Sequence, residues 1–340
     1  MRFLVMFFLI ICLSPASFAA DDISTSPFYN IDPDTLTPSQ SHSLLAASKA
    51  QKLETIREKS SVIRTSFYNQ AEYDVLYYKI DIAIDIENEY VDSSKVTIVA
   101  KSLIDGLNIL ELDFTDSLQG YYSDELALSV DSVYDDNGLL NFEHHDNKLI
   151  VVLDQSYNAN EEFKFNIRYH GAPYAPYGYA TSAGKMNGDG LAFGKQRSML
   201  GGNGQIPVAY TSCEPYDSRR WWPCKDRPDD KADSIDIIVT IPKPYYCASI
   251  GNLKRIDLCQ GVPTPQKFYY SVDYPIVTYL VSLAISEYTV WSDWYYYGEN
   301  DSMEVINHVY PEMYEETLEP LQVTPEIIEI FSETYCQYPF

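Results

Sequence analysis

The sequence predicts a mostly β protein, an antiparallel sandwich or saddle, on three observations. Apolar residues alternate strictly through segments such as Tyr78–Ile86 and Phe163–Tyr169, the period of a strand with one wet face. The turn pairs Asp105-Gly106 and Asn137-Gly138 punctuate such runs. Few helical patterns lie between them, which favours antiparallel pairing over crossover helices.

The chain has 340 residues, 46% of them apolar, enough for two domains or one large β domain with an appendage. Asp and Glu number 49 against 24 Lys and Arg, a net charge of −25. Such a surface repels phosphate backbones, so no nucleic-acid partner is expected. The 30 Tyr, 14 Phe and 4 Trp exclude a disordered acidic tail.

Residues 1–19 have the pattern of a secretory signal. Arg2 is the charged end, Phe3 to Leu13 the apolar run, and Ser17-Phe18-Ala19 a small-x-small cleavage site. The mature chain is therefore expected to be exported, to the periplasm, cell surface or medium. No later apolar run is long enough to span a bilayer. Residues 20–72 form a leader and helix: a Ser/Thr/Asp/Pro-rich stretch, then a helical pattern over Ser43–Ile63.

Residues 73–291 carry the β pattern. Strands are expected at Tyr78–Ile86, Val96–Lys101, Leu107–Phe114, Lys148–Leu153, Phe163–Tyr169, Ile235–Ile241 and Phe268–Val272. Ile276–Ile285 is almost wholly apolar and reads as a doubly buried strand. Residues 292–340 differ in character: a Tyr-rich link, Met303–Ile306, Pro311, and a helix near Pro325–Tyr335 with Thr324 as N-cap and Pro325 at its first position. The apolar residues near Ile327–Phe331 lack core partners in the sequence.

Export makes the cysteines informative. Cys247 and Cys259 flank a Gly-Asn turn and are a candidate disulfide clipping two strands. For Cys213 and Cys224 a bridge and two buried free thiols both remain open, and Cys336 is left over.

Most familiar catalytic and metal-binding patterns are absent from the sequence. His42, His144, His145, His170 and His308 are scattered, and no His-Glu-x-x-His pair places two imidazoles on one helix face. His144 and His145, being adjacent, face opposite ways in a strand and read as a surface loop. No metal ligand set is expected in this chain alone. Gly-x-Ser-x-Gly is absent, and Gly201-Gly202-Asn203-Gly204 lacks the Lys-Ser/Thr of a phosphate cradle and reads as a turn. The unusual stretch is Tyr210 to Asp233, where Pro215, Pro223 and Pro228 fix backbone, Trp221 and Trp222 supply bulk, and Asp217 and Arg219 can pair.

At these residues the sequence resembles the zinc aminopeptidase family that includes aminopeptidase N and leukotriene hydrolase. The family pattern runs Thr-Gln-x-Glu, Asp-Ala-Arg, an aromatic, Pro-Cys, Asp and Lys-Ala. Here stand Thr211, Glu214, Asp217, Arg219, Trp222, Pro223-Cys224, Asp226 and Lys231-Ala232. Pro275 to Ser282 is similar to the family's Pro-x-x-x-Tyr-Leu strand, and Tyr335 to Phe340 to the Tyr-Gly-x-Tyr-Pro-Phe before its catalytic core.

The resemblance implies a saddle-shaped β domain followed by the truncated start of an α/β thermolysin-like catalytic domain. The zinc-binding His-Glu-x-x-His and the Gly-x-Met-Glu-Asn motif would lie beyond Phe340. It implies that Glu214 grips the α-ammonium of peptide substrates with a free N-terminus. Ser212, at the position of the family's Gln, lines the first-residue pocket, while Asp217, Arg219, Trp222, Asp226 and Lys231 build the supporting motif. Zinc is then the cofactor of the full-length family and is not bound by this chain, whose partner is the missing catalytic domain. The competing expectation is a non-catalytic extracytoplasmic β-sandwich that binds or scaffolds.

Overall fold

A computed structural model of the chain describes residues 69–116, 128–173, 179–181, 184–186, 190–195, 206–261, 263–298 and 301–338. The expected signal segment, leader, Ser43–Ile63 helix and Gly201–Gly204 turn lie outside these residues.

The alternating segments do form strands. In chain order they are β1 (Tyr73–Asp85), β2 (Tyr90–Ser102), β3 (Leu107–Asp113), β4 (Ser129–Tyr134), β5 (Leu139–Leu140), β6 (Phe142–His145), β7 (Lys148–Tyr157), β8 (Glu162–Gly171), β9 (Tyr179–Thr181) and β10 (Gly184–Met186). There follow β11 (Gly190–Lys195), β12 (Pro207–Ser212), β13 (Ser234–Pro242), β14 (Tyr246–Ser249), β15 (Asn252–Leu258), β16 (Pro265–Val272), β17 (Leu283–Ser286), β18 (Thr289–Tyr297) and β19 (Asp301–Val309). Helices α1 (Tyr314–Gln322) and α2 (Thr324–Thr334) follow them.

The largest sheet has eight strands in the order β15-β16-β13-β1-β2-β8-β4-β5. A three-stranded sheet (β3-β7-β6) and a four-stranded sheet (β11-β12-β17-β14) pack with it on one apolar core. The alternation in β1 has a break with a physical cause. Tyr73 and Val75 are buried, then a bulge between Val75 and Tyr77 flips the pleat, so Tyr78, Ile80, Ile82 and Ile84 are buried instead. The outward residues of β1 are half-buried rather than wet.

The sheet departs from the antiparallel expectation at its centre. β1 runs parallel to β13, with Tyr77 beside Ser234 and Ala83 beside Thr240, while the other pairs of that sheet are antiparallel. Pairing of segments far apart in sequence leaves no turn signature between them, so periodicity alone does not give their direction.

Other expectations are corrected. Ile276–Ile285 is not one strand: Ile276 bridges Ala232, Thr278–Leu280 is a single 3-10 turn with Leu280 exposed, and only Leu283–Ser286 pairs as β17. The Tyr-rich link is strand β18, paired to β19 from Thr289–Val309 to Tyr297–Asp301. His144 and His145 belong to β6, where His144 stacks on Phe114 at 5.0 Å between centroids and His145 stays exposed. Thr324 is not the cap of α2; Val323 takes that place, and the Thr324 hydroxyl donates back to Leu321 O at 2.7 Å.

The hairpin β18–β19 and α2 share a second small core of Tyr295, Met303, Val305 and Ile328. The other apolar residues of α2, Ile327, Ile330 and Phe331, and Tyr335 just after it, are exposed, Phe331 by 58%. Among the described residues no helix is long and apolar enough to cross a membrane.

The candidate Cys247–Cys259 disulfide does not form. Cys247 is buried on β14, opposite Ile285, whereas Cys259 follows β15 in the other sheet and is half-exposed. Cys213, Cys224 and Cys336 are free as well. Burial pushes the thiols of Cys213, Cys224 and Cys247 well above the ordinary range, which suppresses the reactive thiolate. In a timed titration with a thiol reagent, the folded chain should label at Cys336 first and Cys259 next. The three buried thiols should label only after denaturation, a result that mass spectrometry of peptides checks.

Candidate functional site

The site grows out of the end of β12. Strand alternation turns Thr211 and Cys213 inward and Ser212 and Glu214 outward, where both are exposed. Inside, the Thr211 hydroxyl accepts from Leu283 N at 2.9 Å, and Trp221 Nε1 donates to Cys213 Sγ at 3.3 Å. Outside, Glu214 lies in a turn with a cis Glu214–Pro215 bond and has no hydrogen-bond or ion-pair partner among the described residues. The turn is closed by Asp217 N donating to Cys213 O at 3.0 Å.

A 3-10 turn, Ser218–Arg220, follows and presses against β11. Its approach requires Gly190, which lies opposite Ser212 in the β11–β12 ladder and has φ +81°. A Cβ there would stand 2.6 Å from Arg220 Cβ. Asp217 is paired, but not with Arg219 as the sequence suggested: Arg220 Nε donates to Asp217 Oδ1 at 2.6 Å. Arg219 turns the other way, with Nη1 3.8 Å from Asp113 Oδ1.

Behind this turn lies a buried polar network that the sequence reading missed. Asp113, at the end of β3, is fully buried. Its carboxylate accepts from Gln70 Nε2 at 2.7 Å, from Lys148 Nζ at 2.7 Å and from Asp226 N at 3.1 Å. Lys148 also reaches Glu111 Oε1 at 2.8 Å. The backbones of Asp113 and Cys224 exchange hydrogen bonds of 2.8 and 3.1 Å, and Thr115 N donates to Arg219 O at 3.0 Å. The Glu214 loop is thereby stitched to β3.

Asp226 is the second buried carboxyl. Its Oδ1 accepts from the Thr278 hydroxyl at 3.2 Å and its Oδ2 from Arg219 N at 3.4 Å. Burial pushes its pKa from 3.8 up to about 7; the Arg219 charge opposes that rise and the Asp113 charge adds to it. The expected motif lysine, Lys231, is exposed and outside this network. The buried one is Lys225, whose Nζ donates to Tyr73 O at 2.6 Å, pairs with Asp230 at 3.1 Å and sits over the Tyr73 ring. Burial lowers its pKa. Trp221 and Trp222 are fully buried, Trp222 edge-on to Tyr78 at 4.9 Å.

Among the described residues no three His, Cys, Asp or Glu side chains converge to hold a metal ion. The acidic cluster of Glu111, Asp113 and Asp226 is already occupied by Lys148, Arg219, Gln70 and backbone donors. What the site offers is a lone outward carboxylate on a loop held from behind.

Removing the fully buried Asp113 carboxylate strips Gln70 and the Asp226 N–H of their acceptor. It also leaves the half-buried Arg219 and Lys148 without their shared partner, Lys148 keeping Glu111. Asp113→Ala should therefore cost about 3–5 kcal/mol of folding stability, read as a lower midpoint in urea unfolding. A loss comparable to that of an exposed carboxylate would contradict the network.

Comparison with known proteins agrees with this architecture. The sequence model of the peptidase M1 N-terminal domain matches residues 74–280. Glutamyl aminopeptidase of Sus scrofa is 34% identical over 107 residues, 31% of this chain and 11% of that protein. Glutamyl aminopeptidase of Homo sapiens is 29% identical over 155 residues, 45% of this chain and 15% of that protein. The matches thus span only a small part of those relatives. Among solved structures, an M1 zinc metallopeptidase from Deinococcus radiodurans superposes with a TM-score of 0.59 at 16% identity, over 79% of this chain and 54% of the other. A mutant of that enzyme bound to a Tyr-Ser-Ala substrate gives 0.59 at 18% identity, over 79% of this chain and 55% of the other. With the family model covering more than half its length, from β1 through β16 and including the Glu214 loop, the chain belongs to the peptidase M1 N-terminal domain family.

Proposed function

We propose that this chain supplies the amine-binding wall of an exported zinc metallo-aminopeptidase. Glu214 would hold the α-ammonium of a peptide substrate and Ser212 would line the neighbouring pocket. The catalytic zinc and its ligands would belong to polypeptide beyond Phe340. The observation that carries the reading is the state of Glu214: exposed, unpartnered among the described residues, and mounted on a loop anchored from behind.

The physical requirement is simple. An enzyme that releases single N-terminal residues must measure one residue from the chain end, and the α-ammonium is the only mark of that end. A fixed carboxylate reads it, provided neither partner has to be reorganised on binding. In open water such a pair is weak, because solvent screens it. The contact gains strength when further polypeptide covers the turn and excludes water. Support also comes from the relatives, named glutamyl aminopeptidases, and from a similar structure bound to a tripeptide substrate.

Two measurements test the reading. In a longer protein that includes the sequence after Phe340, Glu214→Gln should raise KM for peptides with a free α-amine about ten- to a hundredfold, the worth of one charge-assisted hydrogen bond. Unchanged KM and kcat would remove the amine role. N-terminal sequencing of the exported protein should begin at Ala20; material beginning at Met1 would contradict export through residues 1–19.

A further inference from the structure

Among the buried carboxyls near the Glu214 loop, Asp113 and Asp226 are not equivalent. Asp113 takes two cations, an amide side chain and a backbone N–H. Asp226 is 1% exposed, makes no ion pair among the described residues, and has two long hydrogen bonds for its two oxygens. Those two bonds run to opposite sides of the loop's anchorage. One holds the backbone of the 3-10 turn at Arg219, and the other holds Thr278 in the 3-10 turn before β17. Arg219 belongs to the turn that follows Glu214, and β17 is the strand paired to β12, from whose end Glu214 emerges. Asp226 is therefore the tie between the two supports of Glu214.

Resting on the amine-binding reading above, we infer that Asp226 is a positioning residue whose protonation state sets the seat of the Glu214 turn and so makes the grip on a substrate amine pH-dependent. A neutral carboxylic acid is compatible with a dry site bounded by Asp113 from the β3 side, with Asp217 and the Cys213 and Cys224 thiols along the loop. The balancing charges are Lys148 from β7 and Arg219 from the 3-10 turn, and both are drawn to Asp113. Ionisation of Asp226 adds a further negative charge with no cation in contact. Such a charge is relieved by admitting water or by moving the chain.

The sign follows from the shift. Asp226 keeps its proton to about pH 7 when folded and loses it near 3.8 when unfolded, so folding takes up a proton between those values. Its contribution to stability is complete below 3.8 and is lost as pH rises to about 7. The turn is thus held best on the acid side.

Carbon-detected NMR of the 340-residue chain should show the Asp226 carboxyl titrating near pH 7, and the Arg219 amide should lose exchange protection over the same range. In Asp226→Asn the amide should keep its protection throughout. Thr278→Val, which removes a donor to the ionised form, should move the midpoint upward and serves if the Asn variant does not fold. In the longer protein, KM for a free-amine peptide should rise about tenfold from about pH 6 to about pH 8 beyond any rise in Asp226→Asn, with kcat following one profile in both. A carboxyl ionised throughout, or an Arg219 amide indifferent to pH, overturns the inference. An Asp226 titration with normal kinetics in Glu214→Gln overturns it as control of amine binding and fails the amine reading itself, whereas absence of titration leaves that reading untouched.

Discussion

A single carboxylate, Asp113, ties the end of β3 to β7, to the segment before β1 and to the anchorage of the Glu214 loop. Four groups from separate parts of the chain converge on it: Gln70 before β1, Lys148 at the start of β7, Arg219 in the 3-10 turn and the backbone of Asp226. The Asp226 backbone N–H and the buried Gln70 amide donate to that carboxylate in the interior, and the half-buried Lys148 and Arg219 charges converge on it from the edge. The apolar core supplies most of the driving force for folding, yet it is indifferent to small displacements. A network of directed bonds is not, and it fixes where the loop lies to within hydrogen-bond tolerance.

That placement matters because Glu214 has no support of its own. Its side chain projects into solvent, and its position is inherited from Cys213, Asp217 and Arg219 behind it. The loop is thus rigid on its inner side and open on its outer one. Trp221 and Trp222 fill the inner side with bulk that no polar loop residue could supply. The inward residues of the family pattern thus immobilise the backbone that carries the outward acid.

The fold was legible wherever burial is one-sided. β2, β3, β7, β8, β13 and β16 were each visible as alternation, and the structure extends most of them by a few residues. The parallel β1–β13 pair was not, since direction depends on a crossing of the chain that leaves no local mark. Ile276 to Ile285 misled because apolar residues can be buried by a turn as well as by a strand. Within the site, Glu214 and its motif were visible through resemblance. Asp113 and Glu111 were hidden in Leu110-Glu111-Leu112-Asp113, where alternation assigns the acids to water and the structure buries them. Lys225 was overlooked beside Lys231, since only the three-dimensional site of Tyr73 O distinguishes a buried amine from a solvated one.

The parallel partnership at the middle of the large sheet has a temporal side. β1 and β2 form a hairpin as soon as they are made, but β1's other neighbour, β13, emerges from the ribosome only after eleven strands lie between them. Until then β1 offers an unfilled row of peptide groups flanked by isoleucines, the sort of edge that recruits foreign strands. The growing chain carries that unfinished sheet through translation, and its edge stays open until the strand ending at residue 242 has been synthesised.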